Sequence, residues 1–190
     1  MIVVCIGGGE SLTREDVDHC FGRAKVIGIN NAYLLAPWAN WLYAADYGWW
    51  KYHAPRMDNV TAERWAPDID VGVCAFDVRT VAIDTKGVGL CREPRKIHGG
   101  NNGGFQAINL AFHFGATKIL LLGYDMGGMH WHAEHPKEIS GPAHAADYAL
   151  YASAFPALAI DLEREGVEVV NCSRKTALTC FRRSTIEVEL

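Results

Sequence analysis

The sequence has no hydrophobic run of the length that a membrane-spanning helix needs. Such a helix takes about 20 consecutive apolar residues, whereas apolar runs here, such as residues 119–122, have the length of a buried strand. The chain also opens directly on the strand-like residues Ile2 to Ile6, without the charged and longer apolar stretches of a secretion signal. We therefore expect no membrane association and a cytoplasmic protein.

An excess of positive charge and closely paired cysteines are missing too. The 18 Lys and Arg residues face 22 Asp and Glu residues, so the sequence lacks the basic field that grips a phosphate backbone, and nucleic acid is not an expected partner. The six cysteines form no C-x-x-C pair, which disfavours a zinc knuckle or a disulfide framework. The composition, 49% hydrophobic and 21% charged, is typical of a globular protein. We expect one domain, residues 1–190, that folds alone or as a homo-oligomer.

The pattern of apolar segments and turns is typical of an α/β fold. The segments Ile2–Ile6, Lys25–Ile29 and Lys118–Leu122 are short apolar runs that end at glycine or asparagine, as central strands of a parallel sheet do. We predict one Rossmann-like domain with a mostly parallel central sheet and helices on both faces. The expected strands are 2–6, 25–29, 40–45, 71–76, 78–83, 118–122 and 167–170, with 71–76 and 78–83 as a hairpin or a sheet edge; the expected helices run from Ser11 or Thr13 to Phe21, over 105–114 and over 145–165, and residues 47–67 form a short helix and an irregular segment.

A glycine-rich turn follows the first strand. Three consecutive glycines and then Ser11 can bring backbone N–H groups close to a phosphate, because glycine has no side chain to block the approach. The turn lacks the third glycine of G-x-G-x-x-G and the lysine of a Walker loop. A tight turn without a ligand is therefore the alternative. The candidate nucleotide contacts in this turn are Gly8, Gly9 and Ser11.

Polar residues also follow the other predicted strands. Ligands of open α/β sheets bind beyond the carboxyl ends of the strands, so these residues are candidates for the same pocket. An asparagine and two glycines at the start of the helix over 105–114 offer further N–H donors. Helix capping and turn geometry are the alternatives for each of them. The candidates are Asn30, Asn31, Asp46, Asn102, Gly103, Tyr124 and Asp125.

The densest run of titratable groups is His130-Trp131-His132-Ala133-Glu134-His135. His130, His132 and His135 could bind a transition metal, with Asp125 or Glu134 as an oxygen ligand. A neutral histidine could instead act as a general base toward a substrate hydroxyl. Exposed loop histidines around a packed tryptophan are the third interpretation. The surrounding segment, residues 127–143, is a candidate active-site lid.

With these residues in view, the chain resembles a Rossmann-like superfamily that includes bacterial sialyltransferases that use CMP-sialic acid and archaeal 6-hydroxymethylpterin pyrophosphokinases. The matching pieces are IGGGESL at residues 6–12, INNAY at 29–33, NGG at 102–104 and LGYD at 122–125. The later pattern of HW at 130–131, HP at 135–136, NCS at 171–173, AL at 177–178 and CF at 180–181 is similar to that of uncharacterised tailed-phage proteins. The last resemblance implies a location in the host cytoplasm.

The resemblance to the sialyltransferases implies a role for each matched position. Gly8, Gly9 and Ser11 would lie near the phosphate, and Asn31 near the base or ribose. Asn102 and Gly103 would lie on the sugar side of the nucleotide. A histidine of the later loop would be the catalytic base.

Three functions follow as hypotheses. The first is a nucleotide-sugar-dependent glycosyltransferase-like enzyme in which His132 or His130 deprotonates an acceptor hydroxyl, and in which backbone amides and any bound divalent cation stabilise the departing phosphate. The second is a magnesium-dependent pyrophosphokinase-like enzyme that uses Asp46 and Asp125. The third is a phage-type nucleotide-binding or assembly protein without turnover.

Overall fold

One parallel sheet organises the chain. In the computed structural model, which describes residues 1–132, 139 and 145–190, nine strands form this sheet in the order β6-β5-β4-β3-β2-β1-β7-β8-β9. Every ladder between neighbouring strands is parallel. The strands are β1 Ile2–Ile6, β2 Lys25–Ile29, β3 Trp41–Tyr43, β4 Glu63–Pro67, β5 Arg79–Asp84, β6 Lys96–His98, β7 Lys118–Leu122, β8 Glu168–Asn171 and β9 Arg182–Arg183.

Helices cover both faces of the sheet. Alternate side chains of β1 point to opposite faces: Val4 packs in the core under α1 and α2, and Val3 packs in the core under α3 and α4. Each face therefore has its own apolar layer, which explains why the central strands are apolar throughout. The helices are α1 Arg14–His19, α2 Tyr47–His53, α3 Gly103–His113, α4 Ala145–Arg164 and α5 Ile186–Glu189, with 3₁₀ helices at Asn30–Leu34, Ala54–Arg56 and Val71–Phe76.

The chain reverses its direction of travel across the sheet at β1. From β1 it proceeds outward strand by strand to β6, and α3 then carries it back to β7 on the other side of β1. Ile6 at the end of β1 pairs with Leu122 at the end of β7. The carboxyl ends of these two strands therefore form the topological switch point, which is where open α/β sheets bind ligands.

The predicted fold class is confirmed, and three strands begin and end where the sequence predicts them: β1, β2 and β7. The prediction of a strand over Val71–Phe76 is wrong, because the Asp70 carboxylate accepts the N–H of Gly72 at 2.8 Å and starts a 3₁₀ helix there. Residues 79–84 do form a strand, but it lies between β4 and β6 rather than in a hairpin.

Three strands were not predicted. β4 lies within the segment predicted to be irregular, and β6 and β9 have only three and two residues. Within the described part of the chain, none of the helices combines the length and apolarity required to cross a membrane.

Candidate functional site

The glycine turn after β1 is hydrogen-bonded to the turn after β7. Gly7 donates its N–H to the carbonyl of Leu122 at 2.8 Å, and Gly9 donates to that of Gly123 at 2.8 Å. A Cβ atom at Gly7 would lie 2.7 Å from the Gly123 carbonyl oxygen. The two turns can approach each other this closely only because glycine occupies that position.

Asp125 holds the end of the same turn. Its two carboxylate oxygens accept the N–H and the hydroxyl of Ser11, both at 2.8 Å. A Cβ atom at Gly9 would lie 2.3 Å from the Asp125 Cγ, so this glycine makes room for the carboxylate. Burial raises the pKa of Asp125, and the hydrogen bonds from Ser11 oppose that rise. Both oxygens are engaged with Ser11, which makes Asp125 a support of the turn.

The turn offers fewer donors to a phosphate than the sequence suggests. Of the five N–H groups of residues 7–11, those of Gly7, Gly9 and Ser11 donate to the protein, and Gly9 also forms an antiparallel bridge with His130. The Ser11 hydroxyl also accepts the N–H of Lys175 at 3.2 Å. The following helix α1 has only six residues, and Thr13 caps its first turn. Packing between neighbouring loops is therefore the main role of this turn.

His130 packs directly on the turn. Its Nδ1 lies 3.1 Å from the carbonyl oxygen of Gly8, which also accepts the N–H of Trp131 at 3.1 Å. A Cβ atom at Gly8 would lie 2.8 Å from that Nδ1. Because a carbonyl oxygen only accepts, Nδ1 of His130 carries the proton, and in the neutral ring Nε2 carries the lone pair.

His132 lies beside His130 and is joined to a buried asparagine. The two imidazole rings are stacked, with centroids 5.1 Å apart and planes at 5°. Nδ1 of His132 lies 3.2 Å from Nδ2 of Asn31, and Oδ1 of Asn31 accepts the indole N–H of Trp49 at 2.8 Å. Both ends of the Asn31 amide are thus engaged with side chains. Asn31 therefore supports His132, and its predicted contact with a nucleotide stays a prediction.

The start of α3 lies over the carboxyl end of β2. A Cβ atom at Gly103 would lie 3.3 Å from Cγ2 of Ile29, the last residue of β2. Asn102 caps the helix by accepting the N–H of Phe105 at 2.9 Å. The N–H groups of Gly103 and Gly104 meet no acceptor in the part of the chain that the structure describes. These two donors at the N-terminus of an 11-residue helix suit an anion.

Three other predicted residues differ in their exposure. Tyr124 is buried and donates its hydroxyl to the carbonyl of Gly104 at 3.0 Å, so it braces α3. Asn30 is half-buried, with a left-handed φ of 50°. Asp46 is exposed at the start of α2, and neighbouring protein groups still desolvate it enough to raise the pKa of its carboxyl.

Two tyrosines of α4 interact electrostatically with the carboxylates of Asp125 and Asp46. The sequence offers no direct reason to select them. Burial raises the pKa of Tyr148, and the charges of Tyr151 and Asp125 add to the rise. Burial also raises the pKa of Tyr151, with contributions from Asp147 and Asp46. The signal available in the sequence was only that α4 follows the histidine loop directly.

One surface cavity of the described residues adjoins the loop after β7. It has a volume of about 430 Å³ and is lined by residues of that loop, of α4 and of the segment after β8, including Met126, Tyr148 and Ala177. A slightly larger one, about 470 Å³, lies at the amino ends of β1 and β2, around Phe21 and Trp38. The first is relevant to the site because Met126, which lines it, directly follows Asp125 in the chain.

A metal site receives no support from the described residues. Among them, no group of three or more His, Cys, Asp or Glu side chains is placed to hold a metal ion. The predicted third histidine, His135, lies outside the described residues, as do residues 133–138 and 140–143 of the predicted lid.

The chain was compared with protein-family models, curated proteins and solved structures, and none of them matches. The resemblance to sialyltransferases and pyrophosphokinases therefore stays a prediction.

Proposed function

We propose that the protein is a nucleotide-sugar-dependent transferase, with the nucleotide at the switch point and His130 as the general base. The observation that carries this proposal is the contact between Nδ1 of His130 and the carbonyl oxygen of Gly8, 3.1 Å apart, at the end of β1. It combines a defined tautomer of the neutral ring with the location at which this class of sheet binds ligands.

The tautomer of His130 suits a base. The backbone carbonyl holds the proton on Nδ1 and orients the ring, so the lone pair is on Nε2, where a base needs it. In the transfer step, the acceptor oxygen bonds to the anomeric carbon of the sugar while the bond from that carbon to the phosphate oxygen breaks. The electron pair leaves with the nucleotide phosphate, and the acceptor's proton moves to Nε2 of His130.

The phosphate is best accommodated at α3 and not at the glycine turn. The N–H groups of Gly103 and Gly104 are the first two of an 11-residue helix, whose dipole favours an anion. Asn30 directly follows Ile29, whose Cγ2 would lie 3.3 Å from a Cβ atom at Gly103. Asn30 and the exposed Asp46 are the groups that would bind ribose hydroxyls.

Magnesium-dependent pyrophosphate transfer is less well supported. It requires carboxylate oxygens on a cation, and both oxygens of Asp125 already accept hydrogen bonds from Ser11. Of the two aspartates predicted for that chemistry, Asp46 is the one whose carboxylate is exposed.

A binding experiment tests the phosphate position. CMP, UMP, AMP, GMP and CMP-sialic acid are titrated into the full chain, and the shift in melting temperature is measured. Gly103→Asp puts a negative charge at the first position of α3, which the helix dipole favours and a phosphate opposes. We expect it to keep or raise the melting temperature of the free protein and to abolish the ligand-induced shift, whereas the neutral, equally sized Gly103→Asn keeps part of it. No shift with any of the five ligands would overturn the proposal, as would an equal shift in Gly103→Asp.

A turnover experiment tests the base. Asn at position 130 can donate an amide proton in place of Nδ1–H, so His130→Asn preserves the contact with Gly8 but removes the basic nitrogen. We expect release of CMP from CMP-sialic acid to fall by about 10²- to 10⁴-fold, with the melting-temperature shift by CMP retained. Unchanged release would exclude His130 as the base.

A further inference from the structure

We infer that Trp49 and Asn31 are positioning residues that fix His132 in the tautomer opposite to that of His130, so that the stacked histidines present one acceptor and one donor nitrogen. The tautomers follow from the hydrogen bonds alone. The catalytic meaning given to them rests on the proposed function.

The orientation of the Asn31 amide is set by Trp49. The indole nitrogen of Trp49 can only donate, so the atom of Asn31 that lies 2.8 Å from it must be the carbonyl oxygen. The NH₂ group of Asn31 then faces the other way, toward His132. Both Trp49 and Asn31 are buried, at 1% and 6% exposure, so water does not compete for these groups.

The orientation of Asn31 fixes the proton on His132. The NH₂ group only donates, so Nδ1 of His132, 3.2 Å away, must accept. A neutral imidazole with an accepting Nδ1 carries its proton on Nε2. His130 has the reverse arrangement, because its Nδ1 donates to the carbonyl of Gly8.

Trp49 cannot swing away from Asn31, since aromatic rings surround it. Its ring is stacked on His53 at 4.6 Å and meets Tyr33 and Trp50 edge to face at 5.9 Å and 5.0 Å. Tyr33 and His53 are themselves joined by a 2.9 Å hydrogen bond. The buried cluster therefore transmits a fixed orientation to the surface histidine.

The opposite tautomers divide two roles between neighbouring rings. Nε2 of His130 can take the acceptor's proton, and the Nε2–H of His132 can donate a hydrogen bond to the charge that develops on the departing phosphate. The same arrangement disfavours a shared metal ion, since Nε2 of His132 would need to lose its proton before it could be a ligand.

Nitrogen NMR of the full, uniformly ¹⁵N-labelled chain tests the inference without any ligand. Long-range ¹H–¹⁵N spectra, recorded where both rings are neutral, distinguish protonated from unprotonated ring nitrogens, and His130→Asn and His132→Gln assign the signals. We expect a protonated Nδ1 in His130 and a protonated Nε2 in His132. A protonated Nδ1 in His132, or rapid averaging of its two nitrogens, would overturn the inference.

Two matched tryptophan variants separate positioning from packing. Trp49→Phe removes the donor that orients Asn31, and we expect the His132 signals to become a mixture of tautomers. Trp50→Phe makes the same change in a neighbouring buried tryptophan whose indole donates to the carbonyl of Ala44, and we expect the His132 tautomer to persist. Equal effects of the two variants would contradict a specific role for Trp49.

Asn31→Asp is the direct reversal. A carboxylate can still accept the indole N–H of Trp49, but it faces His132 with an acceptor, so we expect Nδ1 of His132 to become protonated. An unchanged His132 tautomer would refute the role of Asn31.

The inference and the proposed function can fail separately. If these tautomers are observed while no nucleotide binds, the proposed function fails and the positioning roles stand. If a nucleotide binds but these tautomers are not observed, the nucleotide site stands and the positioning roles of Trp49 and Asn31 fail.

Discussion

At the scale of single residues, the glycines of the first turn are required by side chains of the protein itself. Gly8 leaves space for the ring of His130, and Gly9 leaves space for the carboxylate of Asp125. The sequence predicted that the glycine turn and Asp125 lie together, because both follow strands. It could not show that these glycines accommodate side chains from a distant loop. A glycine leaves the same space for a ligand as for a side chain of the protein, and the sequence alone does not tell the two apart.

Replacement of Gly9 by Ala tests this packing. The added Cβ would lie 2.3 Å from Cγ of Asp125 and would force the carboxylate away from Ser11, so we expect the free energy of unfolding to fall by about 1–3 kcal/mol. Gly127→Ala is the control, because a Cβ there would have no atom of the described residues within 4 Å, and we expect a change within about 0.5 kcal/mol. Urea denaturation measures both. A stable Gly9→Ala variant would show that Asp125 does not need this space.

At the scale of elements, prediction succeeded where hydrophobic burial alone determines the structure. β1, β2 and β7 are apolar on both faces and end at turn residues, so their bounds could be predicted. β4 has the sequence ERWAP, in which a glutamate, an arginine and a proline interrupt the apolar pattern of a strand. It forms a strand because β3 and β5 pair with it. In the Val71–Phe76 segment the error is the reverse, because β-branched residues favour a strand there. The hydrogen bond from Gly72 to the Asp70 carboxylate starts a 3₁₀ helix instead.

The four-residue helix α5 is held in place by ion pairs of one carboxylate. Glu189, whose side chain is 6% exposed, lies 2.7 Å from Nζ of Lys118 and 2.9 Å from Nη1 of Arg182. The hydrogen bonds from Arg182, and then those from Lys118 and Ser184, lower the pKa of Glu189 to about 2. One carboxylate thus joins α5 to the start of β7 and to β9.

Glu189 makes stability depend on pH in a defined range. Because its pKa is lower in the folded chain than the ordinary glutamate value of about 4.3, its contribution is complete above that value and is lost as the pH falls toward 2. We expect Glu189→Gln to lower the free energy of unfolding at pH 7 by about 1–2 kcal/mol, a figure reduced for the half-exposed Arg182.

The difference between wild type and Glu189→Gln should shrink below pH 4 and disappear near pH 2, as measured by urea denaturation across this range. Glu163→Gln is the control, since Glu163 is exposed and has no ion pair in the described part of the chain. A pH-independent difference would show that packing of α5, and not the charge, is responsible.

At the scale of the whole molecule, the position of the site follows from the order of the strands. The sequence predicted that several loops converge, because parallel strands end at one edge of a sheet. The hydrogen bonds between distant loops, such as Asn31 to His132, depend on side-chain packing over about a hundred positions, and no pattern in the sequence encodes them.

Central and edge strands should differ in their protection from hydrogen exchange. β1 lies between β2 and β7 with both faces covered, whereas β6 and β9 are the edges of the sheet and have three and two residues. We expect the amides of β1 and β7 to exchange only through global unfolding, and those of β6 and β9 to exchange through local opening, orders of magnitude faster. Exchange measured by mass spectrometry on peptides checks this. Equal protection of β1 and β9 would contradict the strand order.

The position of β7 beside β1 has a consequence for the nascent chain. A ribosome releases β1 to β6 before the second neighbour of β1 exists, because β7 begins only at Lys118. During that interval the apolar strand Ile2–Ile6 is an open edge, which is the kind of surface that recruits other strands or chaperones. Pairing of Lys118–Leu122 with β1 closes that edge, and the turn that follows β7 then places Asp125 against Ser11. The strand that covers the open edge therefore also positions part of the candidate site.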